Sequence, residues 1–168
     1  MKTKQDLVAR LRELKVVQRG SFRLSSGIHS DYKIDMEIAY GYPEIRSLIY
    51  RLISRDLDDR TTCIAGEGNG GLPLATGISD LLGMPLVLVK RAQELEDGKL
   101  NGYALTANDK VALVDDVFTT GRSFLKGVGL IQAAGAEVVG CYAIVKRNEG
   151  VGKFPVSLSY LIEAKDLR

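Results

Sequence analysis

The sequence predicts an α/β fold, a central and mostly parallel sheet flanked by helices, and three observations carry that expectation. Short apolar runs at residues 62–65, 86–89, 110–114 and 137–145 suit strands buried on both faces. Between them lie segments whose apolar residues recur at the helical period, and glycines stand where those segments stop. Strands that alternate with helices in this way predict crossover connections and therefore parallel pairing.

Along the chain, residues 3–15 place Leu7, Val8, Leu11 and Leu14 at helical spacing behind Thr3 as a candidate cap, and Gly20 marks a stop. Residues 22–36 contain Ser25-Ser26-Gly27 and then an alternating run at Tyr32-Lys33-Ile34-Asp35, which predicts a hairpin or paired short strands. Pro43 opens a helix whose apolar face is Ile45, Leu48, Ile49, Leu52 and Ile53. The strand at 62–65 runs into a glycine-rich loop, followed by a helix over 72–82 that Gly83 ends. The strand at 86–89 comes next, then the strand at 110–114, a helix over 122–134 closed by Gly135, the strand at 137–145 and an edge strand within 155–162.

Residues 90–109 interrupt the alternation. A long connection without a helix inside a compact chain points to a functional cover, so residues 92–102, with Gly98 and Gly102 as flexible points, are read as a mobile lid. An ordinary surface hairpin is the alternative.

A length of 168 residues and a hydrophobic fraction of 45% supply one sizeable core, so a single domain over residues 1–168 is expected. The formal net charge of +2 gives no bulk electrostatic case for nucleic acid or membrane as partner. Cys63 and Cys141 stand far apart in apolar stretches, without the spacing of a zinc or redox motif, and are read as buried thiols. The opening Met-Lys-Thr-Lys-Gln-Asp lacks the apolar core of a signal peptide, and no apolar run approaches a membrane span, so the cytoplasm is the expected compartment.

Chemistry concentrates in residues 111–123, Val-Ala-Leu-Val-Asp-Asp-Val-Phe-Thr-Thr-Gly-Arg-Ser. In open α/β sheets ligands sit beyond the carboxyl ends of strands, and Asp115 and Asp116 fall there, where two carboxylates can accept hydrogen bonds from a ribose diol or hold a divalent ion through water. Thr119, Thr120, Gly121, Arg122 and Ser123 then offer hydroxyls, a sharp turn and the free N–H groups of a helix start, a combination suited to phosphate. A polar turn with a helix cap is the plainer reading of Thr-Thr-Gly alone. Gly66, Gly68 and Gly71 match Gly-x-Gly-x-x-Gly, but no acidic residue ends the next strand as a dinucleotide fold requires.

Residues 111–123 resemble the ribose-5-phosphate and pyrophosphate-donor signature of the type I phosphoribosyltransferases. Next to that signature the glycine run at 66–71 is read as a backbone cradle for pyrophosphate. The resemblance implies that family's fold, with a small N-terminal hood over about residues 1–40 plus part of the C-terminal segment. It implies phosphoribosyl pyrophosphate bound by Lys90, Arg91, Asp115, Asp116, Val117, Phe118, Thr119, Thr120, Gly121, Arg122 and Ser123, with Asp115, Asp116 and Arg91 catalytic. The run Phe22-Arg23-Leu24-Ser25-Ser26-Gly27-Ile28-His29-Ser30-Asp31-Tyr32-Lys33-Ile34-Asp35 is similar to the N-terminal segment of orotate phosphoribosyltransferases, and Val145-Lys146-Arg147-Asn148-Glu149-Gly150 resembles that family's Val-Asp-Arg-x-Glu-Gly. By this resemblance Ser26, Gly27, Thr119 and Arg147 contact orotate, and a planar arginine fork suits its carboxylate and ring acceptors. Without the companion motifs, Arg147 would be read as a surface charge in a basic loop.

The expected reaction is transfer of ribosyl 5-phosphate to orotate, in pyrimidine synthesis, with Mg2+ as cofactor and a homodimer as assembly. Mg2+ would be held mainly by pyrophosphate and ribose, with Asp115 or Asp116 reaching it through water. Alternatives are transfer to a purine or other nucleobase and a non-catalytic sensor of the donor. Two departures from the family stand out. Lys90-Arg91 reverses its Arg-Lys order, and the lid carries Glu94, Glu96 and Asp97, with Lys99 but no histidine. His29 is read as a polar surface residue without a catalytic role.

Overall fold

The computed structural model describes residues 3–24, 27–90, 99–147 and 154–168. Helix α1 (Lys4–Glu13) starts on a capping box: the Thr3 side chain accepts the Asp6 N–H, and the Asp6 carboxylate accepts the Thr3 N–H. It ends without glycine. Lys15 takes the left-handed conformation at φ 54°, and the N–H groups of Lys15 and Val16 return to the carbonyls of Arg12 and Leu11. The stop expected at Gly20 therefore comes earlier, and Gly20 lies inside β1 (Val17–Arg23), which pairs antiparallel with β2 (His29–Ile34). The hairpin was legible; its start was not, because the αL position is occupied by lysine.

A short helix, α2 (Glu37–Tyr40), follows, too brief to leave a periodic signal. Helix α3 (Pro43–Asp56) has its proline in the first turn and buries Ile45, Leu48, Ile49, Leu52 and Ile53, the face that the spacing predicts.

The main sheet has the order β5-β4-β3-β6-β7-β8, formed by β3 (Cys63–Glu67), β4 (Leu86–Lys90), β5 (Lys99–Gly102), β6 (Lys110–Phe118), β7 (Glu137–Lys146) and β8 (Leu158–Glu163). All pairs are parallel except β4 with β5. At the end of the expected lid stands β5, a four-residue edge strand whose antiparallel pairing with β4 is that of the surface hairpin named as the alternative. Residues 91–98 of that lid lie outside the described residues. A 3-10 helix (Ala164–Leu167) follows β8.

Two boundaries differ from the sequence reading, and both bear on function. Strand β6 runs past Val114 to Phe118, because β7 is long enough to keep pairing with it: Asp115 stands opposite Ala143 and Phe118 opposite Lys146. The acidic pair thus sits within a ladder rather than on a loop. Helix α4 (Gly68–Leu82) begins inside the glycine run, so Gly68 to Gly71 form its first turn and not a loop. A Cβ on Gly66 would run into the Gly71 carbonyl and the Ala75 side chain, so only glycine lets strand and helix meet at backbone distance. The helix ends at Gly83, φ 64°, as expected.

Helices α1, α3 and α4 cover one face of the sheet through Leu7, Leu11, Ile45, Ile49, Leu74 and Ile78. Helix α5 (Arg122–Ala133) covers the other, setting Phe124, Val128 and Ile131 against Val111, Leu113 and Cys141. Each large apolar side chain buried in this way contributes about 1.5–3 kcal/mol relative to exposure. Cys63 and Cys141 are both free and buried. Among the described residues no helix is long and apolar enough to cross a membrane.

Candidate active site

In chain order the five parallel strands lie 2-1-3-4-5 across the sheet, so the winding reverses between β3 and β6. Such a reversal opens a crevice at the carboxyl ends of the two strands. Glu67 and the first turn of α4 form one side of it, and Asp115 and Asp116 the other. The backbone meets the carboxylates closely: a Cβ on Gly70 would overlap the Asp116 carboxyl group, and one on Gly71 would lie 2.8 Å from the Val114 carbonyl oxygen.

One Asp115 oxygen accepts the Asp116 N–H at 2.9 Å and the other accepts the Ser123 hydroxyl at 3.2 Å. Asp116 accepts the Val117 N–H at 2.7 Å. Burial raises the pKa of both carboxyls; the charges of Asp116 and Glu67 push Asp115 further, well above the usual carboxylate range. Among the described residues neither carboxylate forms an ion pair with lysine or arginine. The pair is thus held by hydrogen bonds but not neutralised, a state that a cation or a pair of hydroxyl donors would relieve.

Ser123 belongs to the first turn of α5, and its place depends on aromatic packing beneath. The Phe118 ring lies 5.7 Å from that of Phe124 and 5.3 Å from that of Phe154. Gly121, φ 77°, passes over them so tightly that a Cβ would sit 2.8 Å from Phe154 and 3.0 Å from Phe118. The turn before α5 is thereby fixed in position, and the first N–H groups of the helix have no intrahelical acceptor, which suits an anion.

Arg147 follows β7, and its N–H donates to the Phe118 carbonyl at 2.8 Å. It is not a surface charge, being only 1% exposed. Its Nη1 donates to the Tyr32 carbonyl at 3.2 Å and its Nη2 to the Ser30 hydroxyl at 2.9 Å, while the guanidinium stacks 3.9 Å from the centre of the Tyr32 ring. Arg147 thereby ties the β1–β2 hairpin to the carboxyl end of β7.

Together these elements enclose a pocket of about 190 Å³ lined by Leu24, Lys33, Ile34, Asp115, Asp116, Val117, Thr119, Ser123 and Arg147. Of the residues singled out in the sequence, Asp115, Asp116, Val117, Thr119, Ser123 and Arg147 converge here. Thr120, Gly121 and Arg122 lie just beyond the lining, and the Phe118 side chain faces the core. Lys90 is exposed at the end of β4, opposite Lys99. Gly27 is exposed at the hairpin turn with φ 87°, and His29 is also exposed. Ser26 and Arg91, with Glu94, Glu96 and Asp97, lie outside the described residues.

Leu24, Lys33 and Ile34 lie in the resembling run at 22–35 but were given no contact of their own, and Tyr40 was not singled out. The first three follow from the hairpin once its position over the sheet is known. Tyr40 left no local signal: its hydroxyl donates to the Gly70 carbonyl at 2.8 Å, and burial, then the charges of Asp116 and Asp115, hold its phenol well above the usual value.

Comparison with known proteins agrees with this geometry. The family model for the phosphoribosyl transferase domain matches residues 38–154. The orotate phosphoribosyltransferase of Methanosphaera stadtmanae is 37% identical over 150 residues, covering 88% of this chain and 84% of that one. The crystal structure of orotate phosphoribosyltransferase from Aeropyrum pernix superposes with a TM-score of 0.81 at 29% identity, over 96% of this chain and 95% of that one. The Mycobacterium tuberculosis orotate phosphoribosyltransferase, in complex with 5-phospho-alpha-D-ribosyl 1-diphosphate, gives a TM-score of 0.77 at 28% identity, over 98% of each chain.

Proposed function

Since the chain belongs to the orotate phosphoribosyltransferase family, we propose that it transfers ribosyl 5-phosphate from phosphoribosyl pyrophosphate to orotate, giving orotidine 5-phosphate and pyrophosphate. The bond between ribose C1 and the pyrophosphate oxygen breaks, its electron pair leaves with pyrophosphate, N1 of the base bonds to C1, and the N1 proton passes to solvent.

The observation that carries this reading is the convergence, in one pocket, of the buried Asp115 and half-buried Asp116 with the buried Arg147. The carboxylates would accept the ribose hydroxyls and oppose the positive charge that grows on the sugar as the bond to pyrophosphate breaks. The turn from Thr119 to Ser123 would take the 5-phosphate on hydroxyls and helix N–H groups. Arg147, with Thr119 and the hairpin residues Ser26 and Gly27, would read the acidic base, and Lys90 with Arg91 would take up charge on the leaving pyrophosphate.

Magnesium fits the same site. Two adjacent carboxyls raised in pKa and without an ion pair to lysine or arginine among the described residues suit a divalent ion, yet no three His, Cys, Asp or Glu side chains converge there to cage one. Pyrophosphate and ribose oxygens would therefore supply most of its ligands, with Asp115 or Asp116 acting through water. Such an ion would neutralise charge on the leaving group. A homodimer and a cytoplasmic location complete the reading; family membership supports the first, and the use of phosphorylated metabolites as substrates supports the second.

The test is orotate-dependent pyrophosphate release by the purified protein, with and without Mg2+, beside a panel of purine and pyrimidine bases. Release with orotate that requires Mg2+ is expected. Release with another base in preference to orotate, or donor binding without release, would overturn the assignment.

A further inference from the structure

Tyr32 carries a second guanidinium besides that of Arg147. Arg168 also lies with its Cζ 3.9 Å from the centre of the Tyr32 ring. Two guanidinium groups at that distance cannot share one face of a phenol ring, so they occupy opposite faces. We infer that Arg168 and Tyr32 are positioning residues for base recognition, holding the Arg147 fork in the plane from which it meets an acidic base. The inference rests on orotate being that base.

The stack is built from several parts of the chain. Tyr32 is 6% exposed in β2, so its ring has little freedom, and its carbonyl accepts from Arg147 Nη1 while its face carries the same guanidinium. Arg168 follows the 3-10 helix, which is closed by a capping box between Glu163 and Asp166 and anchored by the buried Ala164 and Leu167. This helix packs on α1 and β8, so Arg168 is presented by ordered structure. The electron-rich faces of the ring attract both cations. Like charge on the two sides of one ring is a residual repulsion, and an anion bound at Arg147 relieves it. Arg168 thereby contributes to affinity for a carboxylate without touching it.

Arg168 is exposed, so shortening it leaves the core intact. The experiment compares Arg168→Ala, Arg168→Lys, Tyr32→Leu and Tyr32→Phe with the wild type, measuring KM for orotate, KM for phosphoribosyl pyrophosphate, kcat and melting temperature. Arg168→Ala and Tyr32→Leu should raise KM for orotate by about 3- to 10-fold, the loss expected of one cation–π contact. KM for the donor should stay unchanged in Arg168→Ala. Arg168→Lys and Tyr32→Phe should recover most of the orotate affinity, and Arg168→Ala should add little in a Tyr32→Leu background. Wild-type turnover with an unaltered orotate KM in Arg168→Ala overturns the inference alone, as does an equal loss for both substrates that tracks melting temperature. A wild-type protein that releases no pyrophosphate with orotate overturns the functional reading and the inference with it.

Discussion

Gly70 lies against the carboxyl group of Asp116 so closely that a single methyl group at Gly70 would overlap it. The contact explains why the first turn of α4 is rich in glycine, and it brings the positive end of a helix dipole beside the acidic pair. Tyr40 secures the same turn through the Gly70 carbonyl. Gly70→Ala should displace Asp116 or the helix start, lowering stability by about 1–3 kcal/mol. Turnover should fall by far more than that loss explains at temperatures where the variant is fully folded. Denaturant unfolding combined with steady-state rates checks both.

Asp116→Asn should lower kcat on the order of 100-fold, the usual loss when one preorganised charge-stabilising group is removed. The same change should stabilise the fold at neutral pH. Burial raises both carboxyls above the usual range, so the folded wild type holds protons that the unfolded chain has released. Its stability therefore declines as pH rises from about 4 through the folded-state range. Asparagine removes one charge and relaxes the other. Melting temperatures should coincide near pH 4 and separate by a few degrees, about what 1 kcal/mol gives in a chain of this size, by pH 7. A variant less stable than wild type at pH 7 would contradict the electrostatic account.

Gly121→Ala tests the aromatic support of the turn. The residue would adopt φ 77° with its methyl 2.8 Å from Phe154 and 3.0 Å from Phe118. Backbone strain and overpacking together predict a loss of about 2–4 kcal/mol. KM for phosphoribosyl pyrophosphate should rise at the same time, whereas Gly129→Ala on the exposed side of α5, where a Cβ meets nothing within 4 Å, should leave it unchanged.

The two cysteines should be inert in the folded protein. Burial pushes the Cys63 thiol up to about 11, with a smaller push from the Asp109 charge, and the Cys141 thiol up to about 12. At pH 8 thiolate is scarce at both positions and access is closed. Iodoacetamide should label neither in native buffer and both in denaturant, as mass spectrometry would show; rapid native labelling at Cys63 would mean that the edge of β3 opens.

Local pattern in the sequence determined most of the elements and much of the chemistry. The apolar face from Ile45 to Ile53, the Thr3 cap, the Gly83 stop and the acidic pair ahead of Thr-Thr-Gly each depend on neighbours within a few positions, so they could be read in one dimension. Tertiary structure decided the rest. Strand β6 extends through Asp115 and Asp116 because β7 lies beside it, and Gly70 of α4 is required by the Asp116 carboxyl group on β6. Arg147 is ordered by Ser30 and Tyr32, more than a hundred residues earlier, and Arg168 reaches the same ring from beyond β8, the strand beside β7. Burial, register and charge coupling are properties of groups brought together by folding, so no local spacing could have announced them.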